Sequence, residues 1–472
     1  MLLAFILLYL SINLAIGWWA SRRVKNTTDF VMAGRQLPLV VAGSALFATW
    51  FGSETILGAS SEFVTHGLLG VIEDPFGAAL CLLLVGAFYA RPLYRLNLLT
   101  FNDFFRIRFD RRTELISALF MVPSYFGWIA AQLVAMAVVL QAVAGVPFFW
   151  GVLLCAGVVV FYTYIGGMWA VSVTDFVQTI LIVLGLAILA VQLWGKTGGW
   201  EPLREATPPD FFRFFPEPNW HEGMHYLAAW ITIGLGSIPQ QDVFQRVMAA
   251  RSSRTAVGAS FLGGLLYLTV GMLPLFIGLC SMVLYPEIRS GDPQLTLPGL
   301  VLEHSSLGLQ VLFFGALLSA ILSTTSGAVL APATVIGENL IKPRFPWIKD
   351  HQLLLVMRAS VVFVAACSVA MALWRSNIYE LVAQSSALSL VSLFVPLTAG
   401  LFWKRASRRG ALASMLAGMA MWLLCEGLTT DTPPLIWGGL ASTLAVIGGS
   451  LLFPDRSYDS FRHQTQKPSR LA

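Results

Sequence analysis

About thirteen apolar runs succeed one another along the chain, continuous rather than alternating: 2–20, 37–64, 68–90, 113–143, 147–165, 168–194, 224–247, 255–285, 306–337, 352–374, 378–402, 410–428 and 433–453. A helix needs about 20 apolar residues to cross a bilayer, whereas a barrel strand needs about 10 with strict alternation. Runs of this length and pattern predict an all-α membrane protein. A hydrophobic content of 57% against 12% charged residues agrees, since a soluble domain holds roughly 45–50% and ~25%. The same figures exclude a soluble enzyme, a disordered chain and a disulfide-stapled secreted module.

The five cysteines (Cys81, Cys155, Cys280, Cys367, Cys425) all fall inside apolar runs without a CxxC spacing and read as small core residues. None of the six histidines sits in a metal-ligand spacing, and no phosphate-loop, Rossmann or hydrolase signature is present. No catalytic constellation and no organic cofactor are expected.

Lysine and arginine set the orientation. If the runs alternate across the bilayer, 25 of the 30 basic residues fall on one side, and only Lys196, Arg204, Arg213, Arg289 and Arg375 on the other. The formal net charge of +5 is therefore a matter of topology. The N-terminus is expected outside and the tail inside. Residues 1–22 read as a retained leading helix, because Ser21-Arg22-Arg23-Val24-Lys25 follows directly and no A-x-A cleavage site is present. The proline-rich stretch 195–223 reads as an external loop and 454–472 as a cytoplasmic tail, neither of them a folded domain.

Two runs carry breaks in corresponding places. The run 37–64 contains Ala48-Thr49-Trp50-Phe51-Gly52-Ser53-Glu54-Thr55, and 224–247 contains Gly234-Leu235-Gly236-Ser237-Ile238-Pro239-Gln240-Gln241-Asp242. They lie five runs apart, so the halves 37–194 and 224–402 have opposite orientation, with 409–453 trailing. Inverted repeats with interrupted helices at the midplane are how many transporters hold solute and ion. The bland alternative is that glycine and proline are common in membrane helices.

Several polar residues stand out in this apolar setting. Ser323 and Thr324 are adjacent, and the Ala320 carbonyl lies one turn before Thr324. Three oxygens converging on one side would suit a hard cation; alternatively both hydroxyls bond back to their own helix. Asp175 and Glu54 are costly in a membrane helix unless paired, hydrated or used. Glu54 either pairs with a cationic solute, couples a proton, or is a structural carboxylate held by a neighbouring hydroxyl. Glu73 and Asp74 read as interfacial and solvated. Asp242 and Arg246, four apart, read as an intrahelical ion pair.

The chain resembles the sodium:solute symporter family. The segments that carry the likeness are Gly34-Arg35, Ala48-Thr49-Trp50-Phe51-Gly52, Tyr164-Ile165-Gly166-Gly167-Met168-Trp169-Ala170-Val171 with Thr174-Asp175-Phe176-Val177-Gln178, Pro239-Gln240-Gln241-Asp242-Val243-Phe244-Gln245-Arg246, and Leu322-Ser323-Thr324. The resemblance implies a leading helix, a five-plus-five inverted repeat of LeuT type, two trailing helices, and sodium-driven uptake by alternating access in a bacterial plasma membrane. It implies sodium ligation by Ala320, Ser323 and Thr324, with carbonyls of Ala48 and Phe51. Asp175 matches an aspartate that serves a second sodium in some members, but Ser326 and Gly327 stand where that site uses two hydroxyls.

The solute site is implied between the two breaks and the facing helices. Trp50, Ser53 and Glu54 are its candidates in the first break, Trp128 and Gln132 in 113–143, and Ser237, Gln240 and Gln241 in the second break. Gln384, in the run Gln384-Ser385-Ser386, is the candidate at the outer gate. The local motifs come nearest to the high-affinity choline transporters at Thr49-Trp50 and Trp128, where aromatic faces hold an ammonium. Gln240 replaces a further tryptophan of that branch, so a complete aromatic box is not expected. The expected partners are a small polar solute, leading with a cationic or zwitterionic amine, and the lipid bilayer, with no nucleic acid and a monomeric chain. A proton-coupled transporter on the same scaffold is one alternative. A transport-poor sensor is another, against which the short tail without an output domain speaks.

Overall fold

The computed structural model describes residues 2–285, 293–375, 377–428, 431–455, 457–458 and 461. Arg289, and Arg456, Arg462, Lys467 and Arg470 of the expected tail, lie outside the described residues. Those described form helices and no strand; their one sheet-like pairing is a parallel bridge between Leu37 and Ala250. In a bilayer the backbone must satisfy its own hydrogen bonds, and a helix does so within one segment.

The principal helices are α1 Leu2–Ser21, α2 Leu39–Phe47, α3 Arg111–Ala144, α4 Phe148–Thr197, α5 Trp220–Gly236, α6 Gln241–Ala249, α7 Ser253–Val270, α8 Met272–Leu284, α9 Leu307–Val335, α10 Asp350–Trp374, α11 Ile378–Ser389, α12 Arg408–Leu428 and α13 Pro434–Leu452. Their ends carry local stop and start signals. Asp110 caps α3 by accepting from the Thr113 N–H at 2.8 Å, and Asn219 caps α5 by accepting from Glu222 at 2.8 Å.

Among the described residues ten helices are long and apolar enough to cross a membrane. The sequence leads one to expect more, and the breaks account for part of the difference. The expected run 224–247 is split into α5, 17 residues, and α6, nine residues. The run 37–64 is split between α2 and the helical run Ser53–Arg95. That run doubles back at Gly67 (φ 67°). Thr55 Oγ1 donates to Asp74 Oδ2 at 2.7 Å, whereas 19 residues of straight helix would separate the two by about 28 Å.

The long helix α4 is likewise two expected runs joined at Gly167, where φ is 51°. A Cβ there would lie 2.5 Å from Phe30 Cδ2 and 2.6 Å from the Phe30 carbonyl oxygen, so only glycine fits this junction.

The helix α9 is the axis of the bundle: every residue from Phe313 to Val335 is buried. A helix buried on all faces is expected to be mostly apolar, which makes its hydroxyls conspicuous. It packs against α1, α3, α4 and α10, while α12 and α13 pack mainly on each other. At one end, buried Arg108 donates to the carbonyls of Gly400 (2.8 Å) and Ala406 (3.0 Å) and to Ser457 Oγ (2.8 Å), fixing the start of the tail. The loop 195–223 is more ordered than a plain connection: it contains the helix Trp200–Glu205, and the Phe211 carbonyl accepts from the Leu68 N–H at 2.9 Å.

Candidate functional site

The helix α2 ends at Phe47 and the backbone leaves helical geometry before Ser53, where it resumes as a π-helix. Opposite, α5 ends at Gly236 and α6 begins at Gln241. The two breaks meet at a narrow cavity lined by Trp50 and Glu54, by Ile233, Ser237 and Gln240, by Trp128 of α3, and by Val382 and Ser386 of α11. It is closed so tightly that no water-sized sphere fits inside. A Cβ on Gly236 would lie 2.4 Å from the Ser386 carbonyl oxygen, so α5 and α11 touch backbone to backbone.

Glu54, 2% exposed, sits in this cavity. Trp128 Nε1 donates to its Oε1, and so does Gln132 Nε2 at 3.0 Å; Ser53 Oγ in turn donates to Gln132 Oε1 at 2.7 Å. Its Oε2 is buried without a partner. The carboxylate is thus held by an indole and an amide, not by the helix hydroxyl that the structural alternative supposes. Trp50 packs against Tyr267 with centroids 6.3 Å apart, and Trp128 against Tyr125 at 5.8 Å.

Behind the first break, Thr324 Oγ1 donates to the Ala48 carbonyl at 2.9 Å, and Ser323 Oγ donates to Asp175 Oδ1 at 2.5 Å. Both hydroxyls therefore reach neighbouring helices, whereas Thr325 and Ser326 bond back to Ile321 (2.5 Å) and Leu322 (2.7 Å). Ala320 and Phe51 are buried in the same region.

Asp175 Oδ2 lies 3.7 Å from Arg246 Nη2. The room for this guanidinium is Gly327, where a Cβ would meet Nη2 at 2.6 Å. The expected Asp242–Arg246 ion pair is not formed. Arg246 approaches only the Asp242 backbone carbonyl (3.4 Å), and the Asp242 carboxylate accepts from Tyr125 OH at 2.5 Å. Long-range partners win because α6 is buried along its length.

Asp74 also departs from expectation. It is 1% exposed, bonded to Thr55, with Oδ1 unpartnered, because the turn at Gly67 folds it back against the run 37–64. Gln241 points away from the cavity, accepting from the Phe101 N–H at 2.6 Å. Gln384 lies at the rim with Arg375 (3.4 Å) and Glu380 (3.2 Å). Ser386, Val382 and Ile233 line the cavity in addition to the residues read from sequence; the serine belonged to a polar run already conspicuous there. Among the described residues no group of three or more His, Cys, Asp and Glu could hold a metal ion.

Residues 30–418 match the model of the sodium:solute symporter family. The chain belongs to this family. Similar proteins include a high-affinity choline transporter of Caenorhabditis elegans, 27% identical over 87% of this chain and 75% of that one. A sodium/glucose cotransporter of Vibrio parahaemolyticus is 25% identical over 90% and 85%, and the high-affinity proline transporter PutP of Bacillus subtilis is 29% identical over 93% and 95%. A substrate-bound, outward-open sodium-coupled sialic acid symporter superposes with a TM-score of 0.84 at 20% identity, covering 96% of this chain and 98% of the other. A nucleobase-cation-symport family transporter in a closed conformation gives 0.53 at 15%, covering 96% and 95%. The symporter thus has a LeuT-like fold, and it is a multi-pass sodium-coupled transporter rather than an enzyme.

Proposed function

We propose that this symporter imports a small cationic or zwitterionic amine together with sodium. The observation that carries the reading is the uncommitted oxygen of Glu54, buried between Trp50 and Trp128 in the cavity where the two helix breaks meet. A carboxylate flanked by aromatic faces suits an ammonium, which gains both Coulomb attraction and cation–π contact. The similarity to proteins named as choline transporters agrees with it.

Sodium is assigned to the hydroxyls of Ser323 and Thr324 with the carbonyls of Ala48, Phe51 and Ala320, a set of hard oxygens of the kind such a cation requires. Asp175 and Ser326 complete no second set: Ser326 is bonded back to Leu322, and Arg246 stands beside Asp175. The chain crosses the bilayer thirteen times, with inverted repeats over 37–194 and 224–402, the N-terminus outside and the tail inside, which the bias of basic residues supports. Opening of the closed cavity to alternate sides loads and unloads the solute. Each sodium charge moved inward contributes about 2.3 kcal/mol per 100 mV.

The test is thermal stability of the purified protein against amines, amino acids, carboxylates and sugars, each in sodium and in potassium. Stabilisation by amines in sodium alone supports the reading through linked binding. Equal stabilisation in both salts removes the sodium site.

A further inference from the structure

Glu54 and Asp74 form a buried pair of carboxyls without a cation. Asp74 Oδ2 accepts from Thr55, the residue after Glu54, and each carboxyl keeps one oxygen unpartnered. The groups that face the pair are Asp242 of α6, Tyr125, Trp128 and Gln132 of α3, Tyr267 of α7, and Glu73 with Tyr379 on the Asp74 side. None is a base. Among the described residues neither carboxyl makes an ion pair, and Arg246, on the far side of Asp242, pairs with Asp175. Two ionised carboxylates near each other, both shut off from water, would be strongly unfavourable.

The hydrogen bonds indicate where a neutralising charge sits. Both donors to Glu54, from Trp128 and Gln132, converge on Oε1. That leaves Oε1 as the acceptor oxygen and Oε2 as the one free to carry a hydrogen. A single free oxygen is too few for sodium, which takes several.

We propose that the empty carrier returns with a proton on the Glu54–Asp74 pair, and that a cationic solute displaces it. This rests on the amine reading above. Facing outside, the Glu54 O–H bond breaks, its electron pair stays on the carboxylate, the proton leaves to the outside, and the solute cation takes its place. Facing inside, the solute departs and the carboxylate takes a proton from that side. The net exchange is one solute cation in for one proton out, so the co-transported sodium is the only uncompensated charge moved.

Infrared difference spectra of the solute-free protein in potassium salt test the proton without any ligand. A protonated-carboxyl stretch is expected near neutral pH, lost in Glu54→Gln or Asp74→Asn and kept in Glu62→Gln; a wild-type spectrum without that band overturns the proposal. Wild-type proteoliposomes with an inward sodium gradient, a clamped potential and choline as probe then test the exchange. The lumen is expected to become alkaline as choline enters, and choline affinity to weaken about tenfold per pH unit on acidification. Choline entry without lumenal alkalinisation overturns the exchange alone and leaves the symporter reading standing. If neither choline nor any other amine binds, the solute class and the exchange fall together.

Discussion

Thr324 Oγ1 donates to the carbonyl of Ala48 at 2.9 Å, clasping the central helix directly to the break in the run 37–64. Both atoms are oxygens, so a sodium ion arriving between them would find two ligands already in register, with Ser323 one residue away. Ser323→Ala with Thr324→Ala is therefore expected to raise the sodium concentration for half-maximal thermal stabilisation by at least tenfold, about 1.4 kcal/mol. An unchanged sodium titration would remove these hydroxyls from the ion site.

Glu54→Gln keeps the shape of the side chain, and its amide oxygen still accepts from Trp128 and Gln132. What it removes is charge. Affinity for a cationic amine is expected to fall about a hundredfold, in line with ~2–5 kcal/mol for losing one partner of a buried charge pair. Isothermal titration with choline measures it, and wild-type affinity would make Glu54 structural.

Gln384 and Ser386 lie in the same helix but face different ways. Two residues apart on an α-helix is about 200° of rotation, and the inward positions are Val382 and Ser386, four apart. Gln384→Ala is expected to leave uptake within about twofold, as for a surface change, while Ser386→Leu fills the cavity and abolishes it. The reverse order of effects would move the gate to the rim.

The same geometry explains what the sequence could show. Helices and breaks were legible because continuous hydropathy and Gly/Pro interruptions are local signals. Glu54 was legible because a carboxylate within an apolar run is conspicuous by itself. The partners were not. Asp74 reads as interfacial until the turn at Gly67 lays it against Thr55, and Arg246 reads as Asp242's partner until α4 brings Asp175 to it. Each depends on a contact between residues remote along the chain or folded back on it, which residue spacing along one helix does not encode.

Asp175→Asn removes the carboxylate that faces Arg246 and leaves a guanidinium buried with 0% side-chain exposure. Breaking a buried pair from one side costs about 3–5 kcal/mol, so a marked fall in the thermal midpoint is expected. The ratio of charge to solute moved should stay the same, because Arg246 already supplies the positive charge beside Asp175. A changed ratio in reconstituted vesicles would instead give Asp175 an ion of its own.

Gly236→Ala probes the closure itself. The added Cβ would stand 2.4 Å from the Ser386 carbonyl oxygen and 3.0 Å from its carbon. Backbone atoms yield less readily than the tip of a flexible side chain, so α5 and α11 must separate to admit the methyl group. Separation widens the cavity between them rather than destroying it, since Glu54, Trp50 and Trp128 are contributed by other helices. Solute binding is therefore expected to survive within about threefold, while the closed state is disfavoured by the 1–3 kcal/mol typical of overpacking. Turnover should fall about tenfold or more, because passing through the closed state is obligatory in alternating access. Equilibrium binding and initial uptake rates on the same preparation separate the two quantities. Binding and turnover lost in proportion would show that the contact builds the site rather than closes it.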